Sequence, residues 1–381
     1  MRPLSIVPSG CQRLLFCGLF IATISTNLSA QSNVTVRVMA ANTSSGSNQR
    51  YETPGLNIFK GLKPDLVCIQ EFNYASTNGL GINTPAAMRE MIDATFGTNY
   101  SYFRETNSGY SIPNGIISRY PIITNGSWVD SDTGVNDRGF AWALIDLPGT
   151  NDLYAVSIHL KASSGSDNPT RRAAEAAELK TLIQASFPAN AWIVVGGDLN
   201  TYDQSEACMT TFTSFLSDRL APADQNGGTN TNAGRSERYD RVMASFSFTN
   251  TQIPVVVGTN TFTNGLVFDS RVTPYLQDVS PIQPTDSGAT GMQHMAIVKD
   301  FRYAISVSNP VVVTPPYLYM ATASILRWTG VSNATYSVQT KTNLAATNWL
   351  TLATASSTTT NFSYTNAGAE TGQRFYRVSY P

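Results

Sequence analysis

Between Val34 and Val298 the chain alternates short apolar runs with polar loops. The runs Val34–Ala41, Leu66–Ile69, Gly115–Ser118, Ala141–Leu147, Leu153–His159, Ala191–Gly196, Tyr239–Ala244 and Met295–Val298 read as β-strands. Several, such as Trp192-Ile193-Val194-Val195, show no polar alternation, which suits a central strand covered on both faces. A helical period starts at Asn168-Pro169, an N-cap residue followed by proline, and carries Ala176, Leu179, Leu182, Ile183 and Phe187 on one face until Pro188. With its flanking strands it makes a local strand-helix-strand unit over 153–196. Further helices are expected over Ala86–Phe96 and Glu206–Leu216.

Near Asn309 the texture changes. Pro310, Pro315 and Pro316 flank a Val-Thr run, and residues 306–316 read as a linker. Beyond it, short strands are expected over Ile325–Thr329, Thr335–Thr340, Trp349–Ala353, Thr360–Tyr364 and Arg374–Tyr380, the pattern of a small all-β sandwich over 317–381. Trp328, Tyr336, Trp349 and Phe375 are most simply its core, and a glycan-binding or cell-surface face is the alternative use of such aromatics. At the other end, residues 1–30 read as an export signal. Arg2 and Arg13 are their only charges, Leu14–Ile24 is apolar, and Leu28-Ser29-Ala30 supplies a small-residue cleavage site. The apolar run is shorter than the roughly 20 residues that span a bilayer. No later stretch is long enough either, so the expectation is a secreted or periplasmic protein without a transmembrane segment.

Composition narrows this picture. At 381 residues and 42% apolar content the chain suits one large domain, here 31–305, and a smaller one. Without residues 1–30 the net charge is −3, which argues against a strongly basic surface gripping nucleic acid, though not against nucleic acid held at a metal site. Cys68 and Cys208 remain in the exported part, and a disulfide and two buried thiols are both open.

Candidate chemistry sits at strand ends. His159 closes the run from Leu153, and Asp198 and Asn200 follow the apolar strand and two glycines at alternating positions, where side chains face the same way. An edge histidine and an Asp/Asn turn are the bland readings. The functional reading is a carboxylate and a carboxamide that hold a phosphate and an attacking water together. Glu71 ends another apolar strand and Asn42 a third, and both offer hard oxygen ligands of the kind Mg²⁺ or Ca²⁺ prefers.

The ordered set Asn42; Gln70-Glu71; Asn114-Gly115-Ile116-Ile117-Ser118-Arg119-Tyr120-Pro121; His159-Leu160; Gly197-Asp198-Leu199-Asn200; and Tyr239-Asp240-Arg241-Val242 with His294 resembles the endonuclease/exonuclease/phosphatase superfamily. That resemblance covers roughly residues 34–303. It implies an α+β fold, a DNase I-like four-layered α/β/β/α sandwich that absorbs the local strand-helix-strand unit. It also implies a metal-dependent phosphoric ester hydrolase. Glu71 and Asn42 would bind Mg²⁺ (or Mn²⁺ or Ca²⁺), His159 and Asn200 would touch phosphoryl oxygens, Asp198 would orient or deprotonate water, and Asp240 with His294 would form a buried carboxylate-histidine pair. One departure stands out: Gln293 replaces the usual aspartate before the last histidine, which weakens the case for a second metal contacted by Gln293 and Asp198. Tyr110, Asn114, Arg138, Arg171 and Arg238 are candidate substrate contacts. A phosphodiesterase acting on nucleic acid leads the readings. A sphingomyelinase-like or sugar-phosphate hydrolase is the second, and a binding protein on a relic scaffold the third. The lipid reading calls for an exposed apolar hairpin, for which Ile253–Val257, Phe262 and Leu266–Phe268 are the candidates, or else a core strand pair.

Overall fold

The structure, a computed structural model, describes residues 30–107, 109–131, 135–307, 319–322, 325–330, 332–343, 348–366 and 375–379. Residues 1–29 of the expected export signal and 308–316 of the expected linker lie outside them. The chain divides into two compact units, one spanning Gln31–Ser306 and the other containing Val307–Pro381.

The strands of the larger unit are β1 (Ala30–Ala41), β2 (Leu66–Ile69), β3 (Ser101–Arg104), β4 (Gly115–Ser118), β5 (Ile122–Trp128), β6 (Phe140–Ile145), β7 (Leu153–His159), β8 (Trp192–Asp198), β9 (Leu216–Ser217), β10 (Asp240–Ser245), β11 (Gln252–Ile253), β12 (Val255–Val257), β13 (Asn260–Phe262), β14 (Leu266–Phe268) and β15 (Ala296–Val307). One sheet runs β11-β15-β1-β2-β4-β3 with β14 also on β15, and the second runs β5-β6-β7-β8-β10-β9. Helices α1 (Thr53–Leu62) and α2 (Pro85–Thr95) supply Ile58, Phe59, Met88 and Ile92 to the core that includes the first sheet. Helices α3 (Asn168–Ser186) and α4 (Ala207–Thr213) pack Ala176, Leu179, Ile183, Cys208 and Phe212 with Val156, Ile158, Val195 and Met243 of the second. The order helix, sheet, sheet, helix is the expected four-layered sandwich.

Most expected elements of this unit recur with ends shifted by no more than two residues; β1 starts four residues earlier, α4 stops at Thr213 with Leu216 already in β9, and β15 extends well past its apolar start. The cap of α3 is Asp167, not Asn168, which is the first helical residue. Between the sheets the backbones approach closely. A Cβ on Gly196 would lie 2.8 and 2.9 Å from Cβ and Sγ of Cys68, so only glycine lets β8 pass over β2. Cys68 and Cys208 are free and buried.

In the smaller unit, β16 (Tyr319–Thr322), β17 (Ile325–Thr329) and β20 (Asn361–Thr365) form one sheet, and β18 (Thr335–Lys341), β19 (Leu350–Ser356) and β21 (Phe375–Ser379) the other. Leu326, Trp328, Tyr336, Val338 and Phe362 make its core. Trp349 and Phe375 are only half-buried and stand outside this core, a correction explained by strand alternation. On β18 the buried positions are Tyr336, Val338 and Thr340, whereas Trp349 packs on Lys341 and Phe375 pairs with it on the opposite face.

Candidate active site

Strand register assembles the centre. Parallel pairing of β7 with β8 sets His159 beside Asp198, and antiparallel pairing of β8 with β10 sets Asp198 beside Asp240, so three titratable groups end adjacent strands in a row. The fourth group arrives from the loop before β15, where the His294 amide donates to Asn42 O at 2.9 Å. Its Nδ1 lies 3.0 Å from Asp240 Oδ2 and 3.4 Å from Asp198 Oδ2. Thr231 Oγ1 donates to Asp240 Oδ2 at 2.6 Å and accepts from the amides of Tyr239 and Asp240, which fixes that carboxylate. Asp198, Asp240 and His294 are all buried, and their ligand atoms lie within 4.8 Å of one another, a grouping that could hold a metal ion.

Glu71 and Asn42 form the adjoining half. The Asn42 Nδ2 donates at 3.2 Å to both Glu71 Oε1 and Asp198 Oδ2 and so bridges the two carboxylates. Ser44 Oγ donates to Glu71 Oε2 at 2.5 Å, and Gln49 Nε2 to Oε1 at 3.2 Å. Glu71 and Asn200 both sit at φ 50° in the left-handed region, uncommon for Glu, where each strand end turns its side chain into the centre.

Charge explains the protonation pattern. Burial pushes Asp198 up to about 6, against the opposing pull of His294. Burial lowers His294, but Asp240, Asp198 and Glu71 more than offset it and raise the imidazole to about 9. His159 goes the other way: burial, then the charges of Arg138 and His294, hold it well below its ordinary value, so it is neutral. Its Nε2 lies 3.3 Å from Asp198 Oδ2, and with a neutral ring this contact is not an ion pair. Buried Nδ1 has no partner. Three buried carboxylates thus face a single imidazolium, an excess of negative charge on hard oxygen ligands that fits a divalent cation.

Around His159 the main chain is held at nearly every polar group. Arg138 donates to His159 O at 2.6 Å and Leu160 O at 2.9 Å, Asn200 Nδ2 to Leu160 O at 3.2 Å, and the Lys161 amide donates to Glu175. Arg172, fully buried, donates to Lys161 O and Ser163 O and pairs with Glu206 at 2.7 Å. The named substrate candidates fall in different places. Arg138 is buried with its guanidinium on these carbonyls. Arg171 is half-buried in the first turn of α3, and Arg238 is ion-paired with Asp218 at 2.8 Å. Asn114 Nδ2 donates to Gly139 O, leaving buried Oδ1 without a partner, as is the buried Tyr110 hydroxyl. The Gln293 side chain folds back, its exposed Nε2 donating to Gly291 O at 3.1 Å. Sequence reasoning missed Ser44, Thr231, Arg172 and Glu175. These lie in loops or on the polar side of a helix, and only the folded chain shows what each one holds.

Paired carboxylates, a carboxylate-bound imidazolium and a grouping of ligand atoms suited to a cation, all at strand ends, define a phosphoesterase-type site in general terms. The Endonuclease/Exonuclease/phosphatase family matches residues 56–259, more than half of the chain, and the protein belongs to that family. Among solved structures, the chain is similar to an endonuclease/exonuclease/phosphatase from Beutenbergia cavernae DSM 12333, at 16% identity and TM-score 0.46, covering 91% of this chain and 100% of that one. It is also similar to D. rerio TDP2 complexed with single strand DNA product, at 15% identity and TM-score 0.46 over 70% of this chain and 98% of that one. A third is a beta toxin from Staphylococcus aureus, at 14% identity and TM-score 0.44 over 69% of this chain and 99% of that one. No curated protein matches the sequence.

Proposed function

We propose that the protein is an exported, divalent-metal-dependent phosphodiesterase, nuclease-like in its chemistry. The observation that carries this reading is the convergence of Glu71, Asn42, Asp198, Asp240, His294 and neutral His159 in one buried, carboxylate-rich cluster. Glu71 with Asn42 would hold Mg²⁺ or Mn²⁺, which would neutralise charge that builds on the phosphoryl oxygens. Asp198 orients the attacking water and takes its proton, a task suited to a carboxylate raised to about 6. As the new O–P bond forms opposite the breaking ester bond, protonated His294 stabilises the developing charge and Asp240 holds its orientation. His159 and Asn200 fix the phosphoryl group. Residues 1–30, as an export signal, support a secreted or periplasmic location.

The lipid-hydrolase reading loses support at the hairpin. Val255, Val257 and Phe262 of β12-β13 are buried, so its apolar residues serve the core, and Val256 alone among them is an exposed large apolar residue. Hydrolysis of plasmid DNA, RNA, bis-p-nitrophenyl phosphate, p-nitrophenyl phosphate and sphingomyelin is measured with Mg²⁺, Mn²⁺ or Ca²⁺ and with chelator. Metal-dependent cleavage of a diester, lost in Glu71→Ala, is expected. Turnover that is equal in wild type and Glu71→Ala sinks the metal assignment.

A further inference from the structure

The smaller unit differs in charge from the rest of the chain. Residues 317–381 contain four basic residues and a single acidic one, Glu370, for a net charge of +3, whereas residues 31–316 carry −6. Two of those four cations meet on one surface. On the sheet β19-β18-β21 the side chains of Ser337, Gln339 and Lys341 point away from the core, and register places Arg377 beside Gln339 and Phe375 beside Lys341. Trp349, just before β19, brings its ring centroid to 4.6 Å from both Lys341 Nζ and Arg377 Cζ. A row of polar contacts crosses the three strands, from Arg377 Nε to Gln339 Oε1 at 2.7 Å and from Gln339 Nε2 to Thr351 Oγ1 at 3.0 Å. The face therefore offers two aromatic rings, a guanidinium plane and two positive charges, with no carboxylate among its described residues.

We infer that this face binds a single-stranded nucleic acid, the choice of nucleic acid resting on the nuclease-like reading above. A flat sheet that displays aromatic and guanidinium planes can stack unpaired bases, and interleaved cations pair with the phosphates. A duplex keeps its base faces inside and cannot use the rings. A neutral glycan would leave the charges unmatched. The basic unit thereby supplies the attraction for a polyanion that the acidic unit lacks.

The test is fluorescence anisotropy of a labelled oligothymidylate of about 20 nucleotides, a length that covers the usual single-strand site. The full exported chain is used, in chelator so that nothing is cleaved. Trp349→Ala/Phe375→Ala should weaken binding about tenfold or more, since stacking is worth roughly 1–3 kcal/mol per base. Lys341→Gln/Arg377→Gln should lower the slope of log affinity against log salt by about 1.4, or roughly 0.7 per phosphate contact. Both variants should hydrolyse bis-p-nitrophenyl phosphate as the wild type does, because every residue assigned to that chemistry belongs to the larger unit. Unchanged oligonucleotide affinity in both variants overturns the inference. So does tighter binding of a sulfated glycan of matched length, which would assign the face to acidic sugars. A chain that binds the oligonucleotide through this face but cleaves no diester leaves the inference standing and removes the phosphodiesterase reading.

Discussion

Replacement of Asp240 by Asn keeps the shape of the carboxylate and removes its charge 3.0 Å from His294 Nδ1. At an effective dielectric constant of about 20, two unit charges at that distance attract by about 5 kcal/mol. At 1.36 kcal/mol per unit this is an upper limit of about 4 pKa units. Burial opposes that attraction, and Asp198 and Glu71 remain in the variant, so the shift realised is smaller. His294, held at about 9 in the wild type, should fall by about 2 units in Asp240→Asn. The sequence contains just two histidines, so NMR of ring-labelled protein in chelator resolves both titrations. His294 is expected to titrate near 9, with His159 neutral throughout the physiological range because burial and the Arg138 and His294 charges disfavour its cation. Diester turnover by the metal-loaded variant should drop about 10²–10³-fold, the usual effect of losing one electrostatic stabiliser. A His294 midpoint that moves by less than about half a unit would refute the reasoning, since Asp240 would then not be the source of the raised value.

Three further outcomes follow from buried contacts. Burial raises Glu175 to about 9, with Asp130 adding to the shift, so the stability this group contributes is fully present below about 4.5 and is lost as pH rises through about 9. Thermal unfolding temperature should therefore decline on the alkaline side, and Glu175→Gln should flatten that decline; an unchanged profile excludes Glu175 as its source. Gly196→Ala forces a Cβ against Cys68 and should cost about 1–3 kcal/mol by denaturant unfolding, partly restored by Cys68→Ala. A neutral Gly196→Ala would mean that the sheets separate freely. Arg138→Lys cannot span His159 O and Leu160 O with one fork, so it should lose about 1.5–3 kcal/mol of stability and lower kcat more than it raises KM. Equal kcat in the two proteins would show that the His159 main chain needs no such hold.

The candidate cluster was legible because His159, Glu71, Asp198 and Asp240 sit at the boundaries of apolar runs, and a strand end is visible as a change of texture. Helix α1 was not. Glycines at 55 and 61 interrupt its sequence, and in the fold a Cβ at either would come 2.2 Å from the carbonyl oxygen of Thr43 or Val279, so they mark close packing. Strands β3 and β5 were invisible for another reason: both lie at sheet edges and are half-buried or exposed, without the apolar run that marks a central strand. Trp349 was read into the core because aromatic content carries no face, and only register on β18 puts its ring outside. Ser44 and Thr231 are hydrogen-bond partners brought from distant loops, a pairing that no local spacing encodes.

Two places could hold the cation, the Asp198-Asp240-His294 grouping and Glu71 with Asn42, and they differ in one measurable respect. An imidazole whose Nδ1 carries a proton between two carboxylates has no lone pair there to give a metal. His294, raised to about 9, is almost wholly protonated at neutral pH, so a cation bound through Nδ1 must first expel that proton. At Glu71, which burial raises while Ser44 and Asn42 oppose that rise by favouring the ionised form, no imidazole proton has to leave for an ion to bind. Calorimetric titration of Mg²⁺ at neutral pH in two buffers of different ionisation enthalpy counts the protons released. Little release is expected, with the cation at Glu71 and His294 still charged. Release of about one proton per ion would move the metal to the grouping. In that case His294 would be a ligand, not a charge stabiliser, and Asp240→Asn should weaken metal binding as much as it slows turnover.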